Sequence, residues 1–532
     1  MAEKPSFYIT TPIYYVNAAP HLGTAYCTIM CDVMARYKRS VGFDVKFLTG
    51  LDEHGEKVQR AAEEHDMTPQ AWCDSLAPAF HEIWNTLEIS NDDFIRTTEP
   101  RQIAAVTQLW ERMKEAGYIY KDSYDGWYCV PEETYFTETQ VQKADEERHT
   151  EGQHLCPDCG RPLERVQEES WFFKLSAFQD KLLALYEEHP DFVMPDFRMN
   201  EVRTFVEGGL RDISVSRTSF DWGIPVPFDE KHVTYVWFDA LLNYATAVGF
   251  GNPDMADEYA RRWPAQFHVV GKDIIRFHCV IWPAMLMAIG EALPEHVFAH
   301  GFLMVRDDET GQTRKMSKSL GNAIAPQDVI DLLGVEGYRY YFMTDCVPGE
   351  DGGISFGRME QVYNADLANS WGNLVSRSLN MSAKYFDGKT PELPEGWASQ
   401  SNPLRDLADG IAERYCAHMD LLQYGLAKDV VMELVHAANH YIEDSEPWTL
   451  AKDPARAGEL VQVIANLLES IRICAHLFAP FMPKTSEEVL RRMSLEDEAG
   501  TCDLVNTCAW GGLKGDVPVT KGQALFPRLQ SK

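Results

Sequence analysis

Positive charge is in short supply in this 532-residue chain: 49 lysines and arginines stand against 81 aspartates and glutamates, a net charge of −32. Nonspecific nucleic-acid binders carry a basic surface, so that class is disfavoured. An acidic protein can still keep a local basic face for a specific RNA. Cysteine is sparse as well. Twelve residues scattered over this length do not make a disulfide scaffold. Cys27 and Cys31, one turn apart on a predicted helix, read as small apolar fillers. No uncharged apolar run approaches the ~18 residues of a membrane span, and Met1-Ala2-Glu3-Lys4-Pro5 lacks a secretory apolar segment. The expectation is a cytoplasmic protein with no membrane part.

What remains is the composition of a soluble enzyme, 45% hydrophobic and 24% charged, in a chain long enough for about two to four domains. No internal repeat is evident. Over the first hundred or so residues strand-like runs (Phe7 to Thr10, Val45 to Thr49) alternate with helical ones (Ala25 to Ser40, Pro69 to Leu87). That alternation predicts a parallel sheet with crossover helices. From about Gly117 to Pro227 aromatics, short strand-like runs and Gly/Pro turns take over, which reads as an insertion. The α/β pattern returns with strands over His232 to Trp237 and Gln266 to Gly271. Beyond Gly357 the period is helical through Leu367 to Tyr385, Leu404 to Tyr424, Ala427 to Ser445 and Ala457 to Phe478, which predicts a helical bundle.

Two strings carry the chemistry. His21-Leu22-Gly23-Thr24 follows the first strand. A helix starting there points unpaired N–H groups at a phosphate, Gly23 lets backbone come close, and His21 can donate as charge builds. On its own this string is more often a structural helix start. Lys315-Met316-Ser317-Lys318-Ser319 lies far downstream between Gly311 and Gly321. Its two lysines, on a loop able to fold over a triphosphate, supply point charges for adenylyl chemistry. The plain alternative is a solvated basic loop.

Around these strings stand Thr10-Thr11-Pro12-Ile13-Tyr14-Tyr15-Val16-Asn17, Leu48-Thr49-Gly50-Leu51-Asp52-Glu53-His54-Gly55, Val236-Trp237-Phe238-Asp239-Ala240, Val270-Gly271-Lys272-Asp273-Ile274, His278, Trp282-Pro283-Ala284 and Glu446-Pro447-Trp448. Together they resemble the methionyl-tRNA synthetase family of class I aminoacyl-tRNA synthetases, from Phe7 to Leu529. The resemblance implies an α/β Rossmann-like parallel-sheet catalytic domain with an inserted connective, zinc-knuckle-like domain. An all-α helical-bundle anticodon-binding domain follows. The implied boundaries are 1–116 and 228–300 for the catalytic halves, 117–227 for the insertion, 301–357 for the loop-bearing linker and 358–532 for the bundle.

It also implies roles. Ile13, Tyr15, Trp237, Leu241, Tyr244, Ile274 and His278 would line the methionine pocket, with Tyr15 and His278 donating to the thioether sulfur. Asp52 would take the substrate ammonium. His21, Gly23, Thr24, Gly271, Asp273 and Lys318 would hold ATP with magnesium, and His21, Lys315 and Lys318 would act in catalysis. Asn373, Arg377 and Trp448 would read the anticodon of tRNA(Met) by stacking and edge contacts. The reaction would join L-methionine to AMP, release pyrophosphate and pass the methionyl group to tRNA. Read singly, Trp237 and Tyr244 are core packing, and Asp52, Arg377 and Trp448 are a loop acid, a surface charge and a helix-start staple.

Two positions depart from the family pattern. Thr24 stands where a second histidine is usual, and would replace that contact itself or through a water. In the insertion Cys156-Pro157-Asp158-Cys159 is complete, but Cys129 has Glu132 where its partner cysteine is expected. Zinc would then be held by Cys129, Cys156 and Cys159 with Glu132, His149 or His154 as the fourth ligand, or the knuckle would hold without metal. The chain ends soon after Leu525-Phe526-Pro527-Arg528, without the added module that carries dimerisation in this family, so a monomer is expected. Two alternatives stand beside the ligase: a tRNA-independent nucleotidyltransferase, which has no use for Trp448, and a non-catalytic RNA-binding relative, which has no use for the lysine loop.

Overall fold

The computed structural model describes residues 4–16, 19–132, 134–136, 138–148, 154–157, 159–316 and 324–530. Its centre is a six-stranded parallel sheet of β1 (Ser6–Tyr15), β2 (Asp44–Asp52), β3 (Asp93–Arg96), β4 (Val193–Met194), β5 (Phe267–Gly271) and β6 (His296–His300). The spatial order is β3-β2-β1-β5-β6-β4. The order runs backwards to one side of β1 and forwards to the other. In such sheets the crevice at the carboxyl ends of the two strands flanking this reversal, here β1 and β5, is where ligands sit. The outer strand β4 comes from within the span read as an insertion.

β1 carries one extra residue between Thr10 and Ile13, where its register against β2 shifts. Pro12 has no N–H for the ladder, and bulges take up such residues. The bulge fixes how Ile13 and Tyr15 leave the sheet. Helix α1 (Leu22–Ser40) follows and is buried along nearly its whole length. It lies between the sheet and the bundle: the Tyr424 hydroxyl donates to the Met30 carbonyl at 2.7 Å, and the Tyr37 hydroxyl to Asp420 at 2.8 Å.

The insertion is built on antiparallel strands Ile119–Cys129 and Glu164–Phe173, flanked by Thr134–Phe136 and Ile213–Ser214. Strand Asp229–Thr234 pairs antiparallel with Pro225–Val226 and Ser216–Arg217. The strand expected over His232 to Trp237 is thus corrected twice. It ends at Thr234 and lies outside the parallel sheet, and Val236–Ala240 turns into a short helix. The β-branched and aromatic run suggested a strand, but tertiary packing overrode that weak preference.

Leu303–Arg306 pairs with Thr313–Lys315 and with Gly352–Ile354 in a small sheet that leads into the loop lysines. The helical part contains Pro326–Thr344, Gly372–Tyr385, Tyr424–Ser445 and Ala457–Phe478. The expected single helix over Leu404 to Tyr424 is two, Pro403–Ala408 and Ile411–Met419, because Gly410 takes φ 65° between them. Among the described residues one helical run, Pro454–Phe478, is long and apolar enough to cross a membrane. It is the buried heart of the bundle, with 89% of its apolar window covered.

Candidate active site

The first corner is built as a reciprocal cap. His21 is the N-cap of α1; its Nδ1 accepts from the Thr24 backbone N–H at 3.2 Å, while the His21 N–H reaches Thr24 Oγ1 at 3.4 Å. The backbone donor makes Nδ1 the acceptor, which leaves the ring proton on Nε2. The ring folds over Gly23, where a Cβ would come within 3.2 Å of His21 Cε1. A side chain at position 23 would press on the ring, so Gly23 leaves it room. The Thr24 hydroxyl, which lies 3.2 Å from His21 Nδ1, is turned toward His21. In this structure its work is to hold that histidine.

The seven residues expected around methionine come together in one place. Trp237, Leu241 and Tyr244 belong to a single buried cluster, with Ile13, Tyr15 and Ile274 packed on its margin. Tyr15 meets Trp237 edge-on, with ring centroids 6.4 Å apart. Asp52 is buried and paired in register with Tyr15 at the carboxyl ends of β2 and β1. His278 is tied on both sides. Its Nδ1 lies 3.0 Å from the Ile274 carbonyl and its Nε2 2.7 Å from the Tyr244 hydroxyl. The carbonyl can only accept, so Nδ1 carries the proton and Nε2 accepts from Tyr244. Burial pushes the His278 pKa down to about 4, which keeps it neutral. In this arrangement both ring nitrogens of His278 are engaged, Nδ1 by the Ile274 carbonyl and Nε2 by the Tyr244 hydroxyl.

Of the residues expected to hold ATP, Gly271 and Asp273 lie at the end of β5. Gly271 ends that strand, and a Cβ there would clash with the Asp273 carboxylate. Lys315 ends the strand Thr313–Lys315, and its ammonium lies 5.5 Å from the centre of the Phe302 ring. Lys272 caps the same ring at 4.5 Å and pairs with Asp351 at 2.6 Å. Lys318 lies outside the described residues.

At the insertion's tip Cys129, Cys156 and Cys159 bring three sulfurs within 4.8 Å of one another. The Cys159 N–H points at Cys156 Sγ at 3.5 Å, and Gly160, at φ 74°, completes the tight turn. His154 faces elsewhere, with Nδ1 2.5 Å from Asp145. His149 lies outside the described residues. In the bundle Asn373 approaches Asn439 at 3.5 Å and Arg377 pairs with Glu443 at 2.7 Å, so one helix face presents both. Trp448 follows on a short helix and is 37% exposed, too open for a helix-start staple.

Sequence reasoning missed several groups. Phe277 stacks flat on Trp237 with centroids 3.9 Å apart, on a π-helical turn, Phe277–Ile281. Such turns recur at functional sites. The Tyr8 hydroxyl donates to the Tyr244 carbonyl at 2.7 Å. His54 and Asp239 were quoted within matching stretches but given no role.

Residues 7–379 match the family model described as tRNA synthetases class I (M), and residues 393–530 match that of the anticodon binding domain of methionyl tRNA ligase. The class is thus that of the corner and sheet described above. The methionine–tRNA ligase of Thermotoga maritima is 46% identical over 99% of this chain and 81% of its own length. That of Caldanaerobacter subterraneus subsp. tengcongensis is 45% identical over 99% and 79%. The Mycobacterium tuberculosis methionyl-tRNA synthetase, solved in complex with methionyl-adenylate, superposes with a TM-score of 0.91 at 40% identity, covering 98% of this chain and all of that one. The chain belongs to the methionine–tRNA ligase family.

Proposed function

We propose that this site activates L-methionine with ATP and transfers the product to tRNA(Met). The methionine carboxylate attacks the α-phosphorus, pyrophosphate leaves with magnesium, and the terminal ribose hydroxyl of tRNA then attacks the methionyl-adenylate carbonyl. No protein nucleophile is required, because proximity and fixed charges can supply the acceleration. The observation that carries the reading is the aromatic cluster of Tyr15, Trp237, Tyr244 and His278, with Asp52 in register beside Tyr15 at the end of β2 and the His21 cap starting the helix that follows β1. The pocket suits a thioether among rings, and Asp52 an ammonium. His21, Gly271, Asp273, Lys315 and Lys318 are assigned to ATP.

The test is ATP–pyrophosphate exchange with methionine against other amino acids; exchange with no preference for methionine overturns the reading. Asn373, Arg377 and Trp448 are assigned to the anticodon. Trp448→Ala is expected to slow tRNA charging strongly and leave exchange unchanged, whereas equal losses would remove the assignment. The reading includes a single chain working in the cytoplasm, which sedimentation and fractionation check.

The three clustered thiols fit a zinc-type ion, which prefers thiolates in a tetrahedron. Bound there, the ion would tie the insertion's tip together. Cys129, Cys156 and Cys159 would hold it, with the fourth position left to Glu132 or another donor. Protein purified without added metal is expected to carry about one zinc per chain, and Cys159→Ser to lose most of it, as elemental analysis would show.

A further inference from the structure

Asp52 can bind an ammonium only if it is aimed, and the segment that aims it is unusually constrained. Glu53 is buried, and its carboxylate takes Arg96 Nε at 2.6 Å and the Thr98 hydroxyl at 2.5 Å. Its backbone N–H donates to Thr97 Oγ1 at 3.0 Å, and its carbonyl accepts from Trp222 Nε1 at 2.5 Å. These bonds anchor the turn to β3 and to the segment around Trp222. His54 is bound to a different element. Its Nδ1 lies 2.7 Å from Asp239 Oδ2, and the two side chains are 7% and 1% exposed.

Asp239 is held in turn. Gln102 Nε2 donates to both its Oδ1 and its carbonyl at 2.8 Å. Asp239 stands on the Val236–Ala240 helix that carries Trp237. The pair therefore links the Asp52 turn to the helix bearing the pocket's main aromatic wall. Because a carboxylate can only accept, Nδ1 of His54 carries the bonding proton. A buried polar pair of this kind stabilises little by itself, and removing His54 leaves Asp239 with Gln102 alone. Geometry gives such a pair a use: substrate-binding groups must be fixed within a fraction of an ångström by a supporting layer.

We infer that His54 and Asp239 are positioning residues that hold Asp52 opposite Trp237 and so set the width of the amino-acid pocket. This rests on the methionine-activation reading above and adds to it two residues that make no bond to substrate. The nucleotide corner at His21 and Gly271 is carried by other strands and is not held by this pair.

The experiment is pyrophosphate exchange on the full chain for wild type, His54→Leu, His54→Asn, Asp239→Leu and the double leucine variant, with melting temperatures alongside. His54→Leu is expected to raise the KM for methionine about tenfold or more with little change in the KM for ATP. His54→Asn, which keeps a donor near the Nδ1 position, is expected to recover most of the loss. The double variant is expected to be no worse than either single one, since the two act as a unit. A methionine KM unchanged in both single variants overturns the inference. So do equal rises for methionine and ATP, or strictly multiplicative single effects. If His54→Leu does not fold, Asp239→Asn against His54→Asn carries the same comparison. A wild-type protein without methionine-dependent exchange removes the functional reading instead, so the two failures are distinguishable.

Discussion

His278 shows how much of a side chain's setting its neighbours decide. A histidine beside a thioether pocket invites a donor role, yet the Ile274 carbonyl and Tyr244 hydroxyl use both ring nitrogens. The second of these bonds ties the ring to Tyr244. Burial lowers its pKa from 6.5 to about 4, and His268 is depressed well below its ordinary value for the same reason, with His278 adding to the effect. The unfolded chain therefore binds more protons than the folded one between pH about 6.5 and about 4. Stability contributed by the neutral ring is present above that window and lost as pH falls through it. From pH 7 to pH 5 the His278 share is about 2 kcal/mol. Urea titrations at the two pH values are expected to show this loss in wild type and a smaller one in His278→Gln.

At the level of elements, the α1 cap links fold and chemistry. Thr24→Ala removes one half of the reciprocal cap, at a cost of about 1 kcal/mol. It also removes the hydroxyl beside His21 Nδ1 and leaves the ring held by the backbone N–H of residue 24 alone, so kcat for exchange is expected to fall while Thr24→Ser stays near wild type. This corner was legible because its signals are local: a strand, a capping residue, a glycine and a helical period. Helix Ala457–Phe478 was legible for the same reason and begins and ends where the period does. The two-residue strand β4 was invisible, because it exists only by pairing with β6. The helix at Val236–Ala240 was misread because its residues favour strands and its packing does not. The pocket list followed from matching stretches. Phe277 was passed over although it lies between two residues on that list. The His54–Asp239 pair spans 185 positions, and no spacing rule reaches that far.

At the level of the whole molecule, a single buried arginine joins four parts of the chain. Arg339 donates to Asp32 on α1 at 2.7 Å, to the Leu87 carbonyl at 3.0 Å, and to the Phe481 and Pro480 carbonyls in the bundle at 3.0 and 2.9 Å. Burial opposes the Asp32 charge, but Arg339 and Arg36 hold its carboxyl below its ordinary pKa. Arg339→Met is expected to cost about 3 to 5 kcal/mol, since it leaves the buried Asp32 with Arg36 as its one remaining arginine and takes the donor from three carbonyls. A urea midpoint within error of wild type would show the joint to be dispensable.

Because α1 has a wall on each side, the chain cannot be divided at the start of the bundle without stripping one of them. A fragment stopping there would present an oily, tyrosine-lined strip to water and stick to its own kind. The sheet-bearing half and the helical half are therefore expected to melt as one unit.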